Sequence, residues 1–203
     1  NKNKIFYVIK RSPGGGMFSN LNYVVNHLLI AEKFNFIPII DMENFPTYYN
    51  ENSKILRSYN AWDYYFENFN KFKLTEIYKS KYVIFSEKIK KPDVYFDGFN
   101  NLNKEHLRIT KKYIKIKKYI INQAKNFINK NFKSKKILGV HFRGSDQKTQ
   151  ERHPFPATVD QMIFNISELL KKNKFDKVFL VTEELNYQRI LKKKFGDRLI
   201  FFD

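Results

Sequence analysis

The sequence has no cysteine, one tryptophan, seven glycines and four scattered histidines in 203 residues. Without cysteine there can be no disulfide, thiol nucleophile or thiolate-bound metal, which suits a reducing cytoplasm. The histidines show no zinc-ligand spacing and no carboxylate pair is placed for another cation, so no metal and no cofactor are expected. No run approaches the roughly 20 apolar residues that span a bilayer, and the first residues lead into a strand-like segment, not a signal peptide. Acidic residues are scarce too. With 20 Asp and Glu against 38 Lys and Arg, the formal net charge is +18. That balance attracts phosphates, nucleic acids or anionic lipid without choosing among them, and an AT-rich coding sequence produces the same excess of Lys, Asn, Phe and Tyr. Repeats and low-complexity linkers are absent. No Gly-Lys-Ser/Thr follows the glycines and they form no dinucleotide fingerprint, so kinase and dehydrogenase readings lose their main support.

What is present is apolar mass, 42% of the residues, enough for one large domain or two small ones. Residues 5–9 read as a strand, 12–16 as a glycine loop and 18–34 as a helix whose apolar face is Leu21, Val24, Val25, Leu28 and Leu29. A second strand over 36–40 ends in Asp41. Such a unit turns backbone N–H groups and a helix N-terminus toward an anion, which makes Gly14, Gly15 and Gly16 candidate phosphate contacts; a plain crossover fits the pattern as well. Residues 44–79 are aromatic and polar without a clean period, a composition that suits core packing and also stacking platforms for sugars or bases. Short strands are predicted at 82–85 and 94–96 around a basic turn at 88–92, and one long helix over 103–130. A basic connector at 132–136 divides domain 1–133 from domain 134–203. The second domain reads as strand 137–142, helix 159–172, strand 177–181, helix 184–194 and strand 199–202. This alternation predicts two Rossmann-like α/β domains with parallel sheets, the second of them incomplete in this chain, which stops at a strand-like run.

The most informative stretch is Leu138-Gly139-Val140-His141-Phe142-Arg143-Gly144-Ser145-Asp146. Period-2 alternation sends His141 and Arg143 to one face, and Gly144-Ser145-Asp146 is turn chemistry. A guanidinium there can grip a diphosphate through two charge-assisted bonds. A core strand with a solvated polar end fits the pattern equally.

Taken together, the two loops resemble the GT-B fucosyltransferases, the group of α1,6-, nodulation-type and protein O-fucosyltransferases. The resemblance rests on His141-Phe142-Arg143-Gly144-Ser145-Asp146, which matches a His-x-Arg-x-x-Asp signature, and on the glycine loop with the following Asn20-Leu21-Asn22-Tyr23-Val24-Val25 and Ala31. Val178-Phe179-Leu180-Val181-Thr182-Glu183 is similar to a later strand of the family that usually ends in Thr-Asp. Members of the family usually carry a further segment with a third motif, which the resemblance does not reach.

The resemblance implies an inverting, metal-independent transferase of bacterial type, moving a sugar, fucose in the family, from a GDP-sugar to a hydroxyl of a surface glycan. It implies that Arg143 binds the donor β-phosphate, that His141 lies against the nucleoside and that Asp146 braces the loop or Arg143. Gly14, Gly15, Gly16 and Asn20 would complete the donor site, and Glu151 would be the base on the acceptor hydroxyl. There are departures: Phe18 replaces the last glycine of the first loop, Gly144 stands where α1,6-enzymes have a second Arg, and Glu183 replaces Asp. The expected location is cytoplasmic, at the inner face of the membrane if the acceptor is lipid-linked. Two other classes stay open at this stage. One is a basic nucleic-acid-binding module, although Lys is spread along the chain and no RNA-binding signature is present, so nucleic acid is not an expected partner. The other is a sugar-binding or scaffold protein that kept the fold and lost turnover.

Overall fold

A computed structural model describes residues 4–88, 104–133, 135–144 and 155–202. The chain divides into two compact units, Asn1–Ile121 and Asn122–Asp203, each built on a three-stranded parallel sheet. No helix among the described residues is long and apolar enough to cross a membrane.

In the first unit, β1 (Phe6–Ile9) lies between β2 (Ile37–Ile40) and β3 (Val83–Phe85), all parallel. Every residue of β1 is buried, which explains why Phe-Tyr-Val-Ile is an unbroken apolar run and does not alternate. Helix α1 (Met17–Lys33) makes the crossover, burying Val24, Val25, Leu28 and Leu29 as the 3-4 spacing predicts. Two histidines tie this layer together. The His27 Nδ1 pairs with the Tyr7 hydroxyl at 2.6 Å, and Asn26 Oδ1 pairs with His106 Nε2 at 2.8 Å. The segment after β2 is mostly irregular, with single-turn helices α2 (Trp62–Tyr65) and α3 (Leu74–Ile77).

The long helix predicted for 103–130 is two helices, α4 (Lys104–Tyr113) and α5 (Lys118–Asn131). The break pairs with residues far away in sequence: Ile116 forms an antiparallel bridge with Phe66, flanked by bonds from Glu67 N to Lys115 O and from Lys117 N to Tyr65 O. Those bonds take up Lys115 O and Lys117 N, which a continuous helix would pair within itself. The predicted strand at 94–96 lies outside the described residues.

In the second unit, β5 (Lys177–Val181) is central, between β4 (Ile137–His141) and β6 (Leu199–Ile200). Its helices are α6 (Val159–Lys172) and α7 (Leu185–Phe195). The start of α6 is fixed by a capping box, in which Thr158 Oγ1 accepts from Gln161 N and Gln161 Oε1 accepts from Thr158 N. Phe142, Ile166, Val178, Leu180, Leu191 and Leu199 form the core, and Phe127 of α5 packs on Phe179 and Phe202.

Burial pushes the His27 imidazole down to about 4 from 6.5, so the folded protein refuses a proton that the unfolded chain accepts between those values. The stability held by neutral His27 is fully present above pH 6.5 and falls as the pH drops toward 4, by up to about 3 kcal/mol. Urea denaturation across this range should show that slope, and His27→Leu should flatten it; an unchanged slope in the variant would contradict the assignment.

Candidate functional site

The C-terminal edge of a parallel sheet is where α/β proteins place ligand chemistry. In the second unit that edge is formed by His141 at the end of β4, Val181 at the end of β5 and the loops that follow them. Phe142 is 1% exposed and stacks on Tyr187, with ring centroids 4.2 Å apart and planes 11° apart. Its N–H donates to Val181 O at 2.9 Å, so the strand pairing continues through it. With Phe142 turned inward, His141 and Arg143 are both solvent-exposed, as period-2 alternation requires.

The peptide after Arg143 is held by the neighbouring strand. Gly144 N donates to Glu183 Oε1 at 2.8 Å, and Glu184 N donates to Thr182 Oγ1 at 3.1 Å. Gly144 is buried, and a Cβ there would overlap Glu184 Cγ and lie 2.7 Å from its Oε1. Glu184 therefore occupies the space that any side chain at position 144 would need. Asp146 and Glu151 lie outside the described residues.

The glycine loop of the first unit is fixed mainly by one side chain. Asn20, 2% exposed, accepts from Gly15 N and donates to Gly15 O, both at 3.1 Å, so its two polar ends are spent on the shape of the loop. Gly14 has φ +77°, and a Cβ there would overlap Asn20 Oδ1, so conformation and space both demand glycine. Gly16 is the N-cap of α1 with no side-chain cap; the Tyr49 hydroxyl accepts from Met17 N at 2.7 Å instead. Arg11 clasps the first turn through Ser19 O and Ser19 Oγ at 2.7 and 3.0 Å. Phe18 is 81% exposed.

This fold is shared with solved fucosyltransferases. The structure of fucosyltransferase NodZ from Bradyrhizobium aligns over 99% of this chain and 79% of its own, with a TM-score of 0.56 and 14% identity. A NodZ α-1,6-fucosyltransferase soaked with GDP-fucose aligns over 98% and 78%, with a TM-score of 0.59 and 16% identity, and one co-crystallized with GDP aligns over 98% and 79%, at 0.51 and 14%. No protein-family model and no curated protein matches the chain. At these identities the likeness is one of fold: α/β, with the parallel sheets of the GT-B fold.

Three residues make bonds or contacts that no sequence window shows. Glu183, Glu184 and Tyr49 act through partners 30 or more positions away, at separations of 39, 40 and 32 residues, and no local pattern reports such pairs. Thr182-Glu183 after an apolar strand was the only signal, and it pointed to the place without giving the bond.

The packing of position 144 is testable. Gly144→Ala should cost about 1–3 kcal/mol because Glu184 must move. In a Glu184→Ala background the same change should be close to neutral, and an equal cost in both backgrounds would show that Glu184 is not the obstacle.

Proposed function

We propose that this protein is an inverting, metal-independent glycosyltransferase that transfers a sugar, fucose, from a GDP-sugar to a hydroxyl of a bacterial surface glycan. The observation that carries the reading is the edge of β4, where buried Phe142 leaves His141 and Arg143 exposed together, in a fold shared with transferases solved with GDP and GDP-fucose.

In the proposed reaction the acceptor oxygen forms a bond to the anomeric carbon while the bond to the β-phosphate oxygen breaks and GDP leaves. Arg143 neutralises the departing diphosphate with a bidentate guanidinium, supplying charge that a metal supplies in other transferases. His141 lies against the nucleoside, Asp146 braces the loop, and Glu151 takes the acceptor proton. The glycine loop Gly14-Gly15-Gly16, in the shape that Asn20 imposes, faces the donor's phosphates with the backbone N–H groups of Gly14 and Gly16, that of Gly15 being spent on Asn20 Oδ1. The +18 charge favours both an anionic donor and work at the inner face of a membrane on a lipid-linked acceptor.

Removing a group that stabilises developing charge typically costs about 10²–10³ in rate. Arg143→Ala should therefore lower sugar transfer by at least about 100-fold, with circular dichroism checking that the variant is folded. Wild-type turnover in that variant would remove the phosphate role. Glu151→Gln should slow transfer by roughly 10²–10⁴ with donor affinity retained. A wild-type protein that binds GDP-fucose yet transfers to no glycan would instead be a scaffold that kept the donor fold.

A further inference from the structure

The first unit contains a cleft of about 350 Å³ beside the C-terminal half of β2, an edge strand of its sheet. Its lining differs from the rest of the molecule. In a chain of net charge +18, the cleft carries two carboxylates, Glu43 and Asp63, against one ammonium, Lys73. Phosphates and polyanions are therefore disfavoured there, whereas neutral ligands are not.

Aromatic surfaces and hydrogen-bonding groups meet in the same walls. Phe69 and Phe72 contribute rings held edge-on by Tyr113 at 5.2 Å and by Phe6 at 5.0 Å. Trp62 also lines the cleft; it is 4% exposed, and its indole Nε1 has no hydrogen-bond partner among the described residues. Asn60 and Asn70 spend their side chains bracing the wall, on Ile40 O, Met42 N and Trp62 N, and on Pro38 O and Phe72 N. Asp63 gives one oxygen to Ser58, while Glu43 and Thr75 are exposed with no side-chain bond to another described residue.

Rigid aromatic faces, carboxylate acceptors and a hydroxyl form the chemistry that recognises sugar rings, whose apolar C–H faces stack and whose hydroxyls each donate and accept. The volume holds about one or two pyranose rings, within the range of small-ligand sites. We propose that this cleft is a binding subsite for a neutral oligosaccharide. It uses residues of the first unit alone and does not rest on the donor reading.

The chain's single tryptophan is in the wall of the cleft, so its fluorescence reports on the site directly. The full chain, without nucleotide, is titrated with neutral oligosaccharides of glucose, galactose, mannose and N-acetylglucosamine, and with heparin as a polyanion. At least one neutral series should shift the emission saturably. Glu43→Ala and Thr75→Ala, at exposed positions, should keep the wild-type circular dichroism and weaken that response about fivefold each. Arg143→Ala should leave it unchanged. The proposal is overturned if no neutral series gives a saturable shift, if the shift survives both cleft variants, or if heparin alone produces it.

Discussion

Burial of Phe142 against Tyr187 orients the end of β4 and, through it, the candidate diphosphate site. A strand alternates its side chains, so placing this ring in the core obliges His141 and Arg143 to leave it. Exposing Phe142 instead would forfeit roughly 1.5–3 kcal/mol of burial, which fixes the register against a one-residue slip. The carboxylate of Glu183 then holds the next peptide, so Gly144 is anchored to the segment after β5 as well as to its own strand. A cation carried on a pre-formed edge loses less conformational entropy on gripping a phosphate than one on a mobile loop.

The first unit follows the same logic with polar side chains. Asn20 holds the glycine loop, and Asn60 bonds the backbone at both Ile40 and Met42. Buried Asp41 accepts from Glu43 N and Asn44 N and from the hydroxyl of Tyr78, whose own proton is held more tightly by burial first and by the Asp41 carboxylate second. Each of these fully buried groups satisfies backbone donors or acceptors that the irregular segments after β1 and β2 would otherwise leave open. The loops are thus ordered by side chains where regular secondary structure does not order them.

Much of this was legible in the sequence. The unbroken apolar runs of β1 and β4 and the 3-4 spacing of α1 each have one satisfactory reading, and parallel pairing follows from the intervening helices. The outward pairing of His141 and Arg143 followed from periodicity alone. The break between α4 and α5 did not, because Tyr113, Ile116 and Ile120 keep a helical spacing and only the distant Phe66 diverts the backbone. The clasp of Gly144 by Glu183 and the cleft around Trp62 were hidden for the same reason: they bring together positions that sequence windows do not compare. The expectations for Asp146 and Glu151 fall outside the described residues.

The proposed transfer requires the edge of β4 to be a guanosine-diphosphate site. Isothermal calorimetry of the protein with GDP, UDP and CMP, in buffer containing EDTA, measures this most directly. GDP should bind selectively and without a metal, and its binding should disappear when Arg143 is replaced by alanine. Binding of none of the three, or GDP affinity unchanged by loss of Arg143, would contradict the proposal.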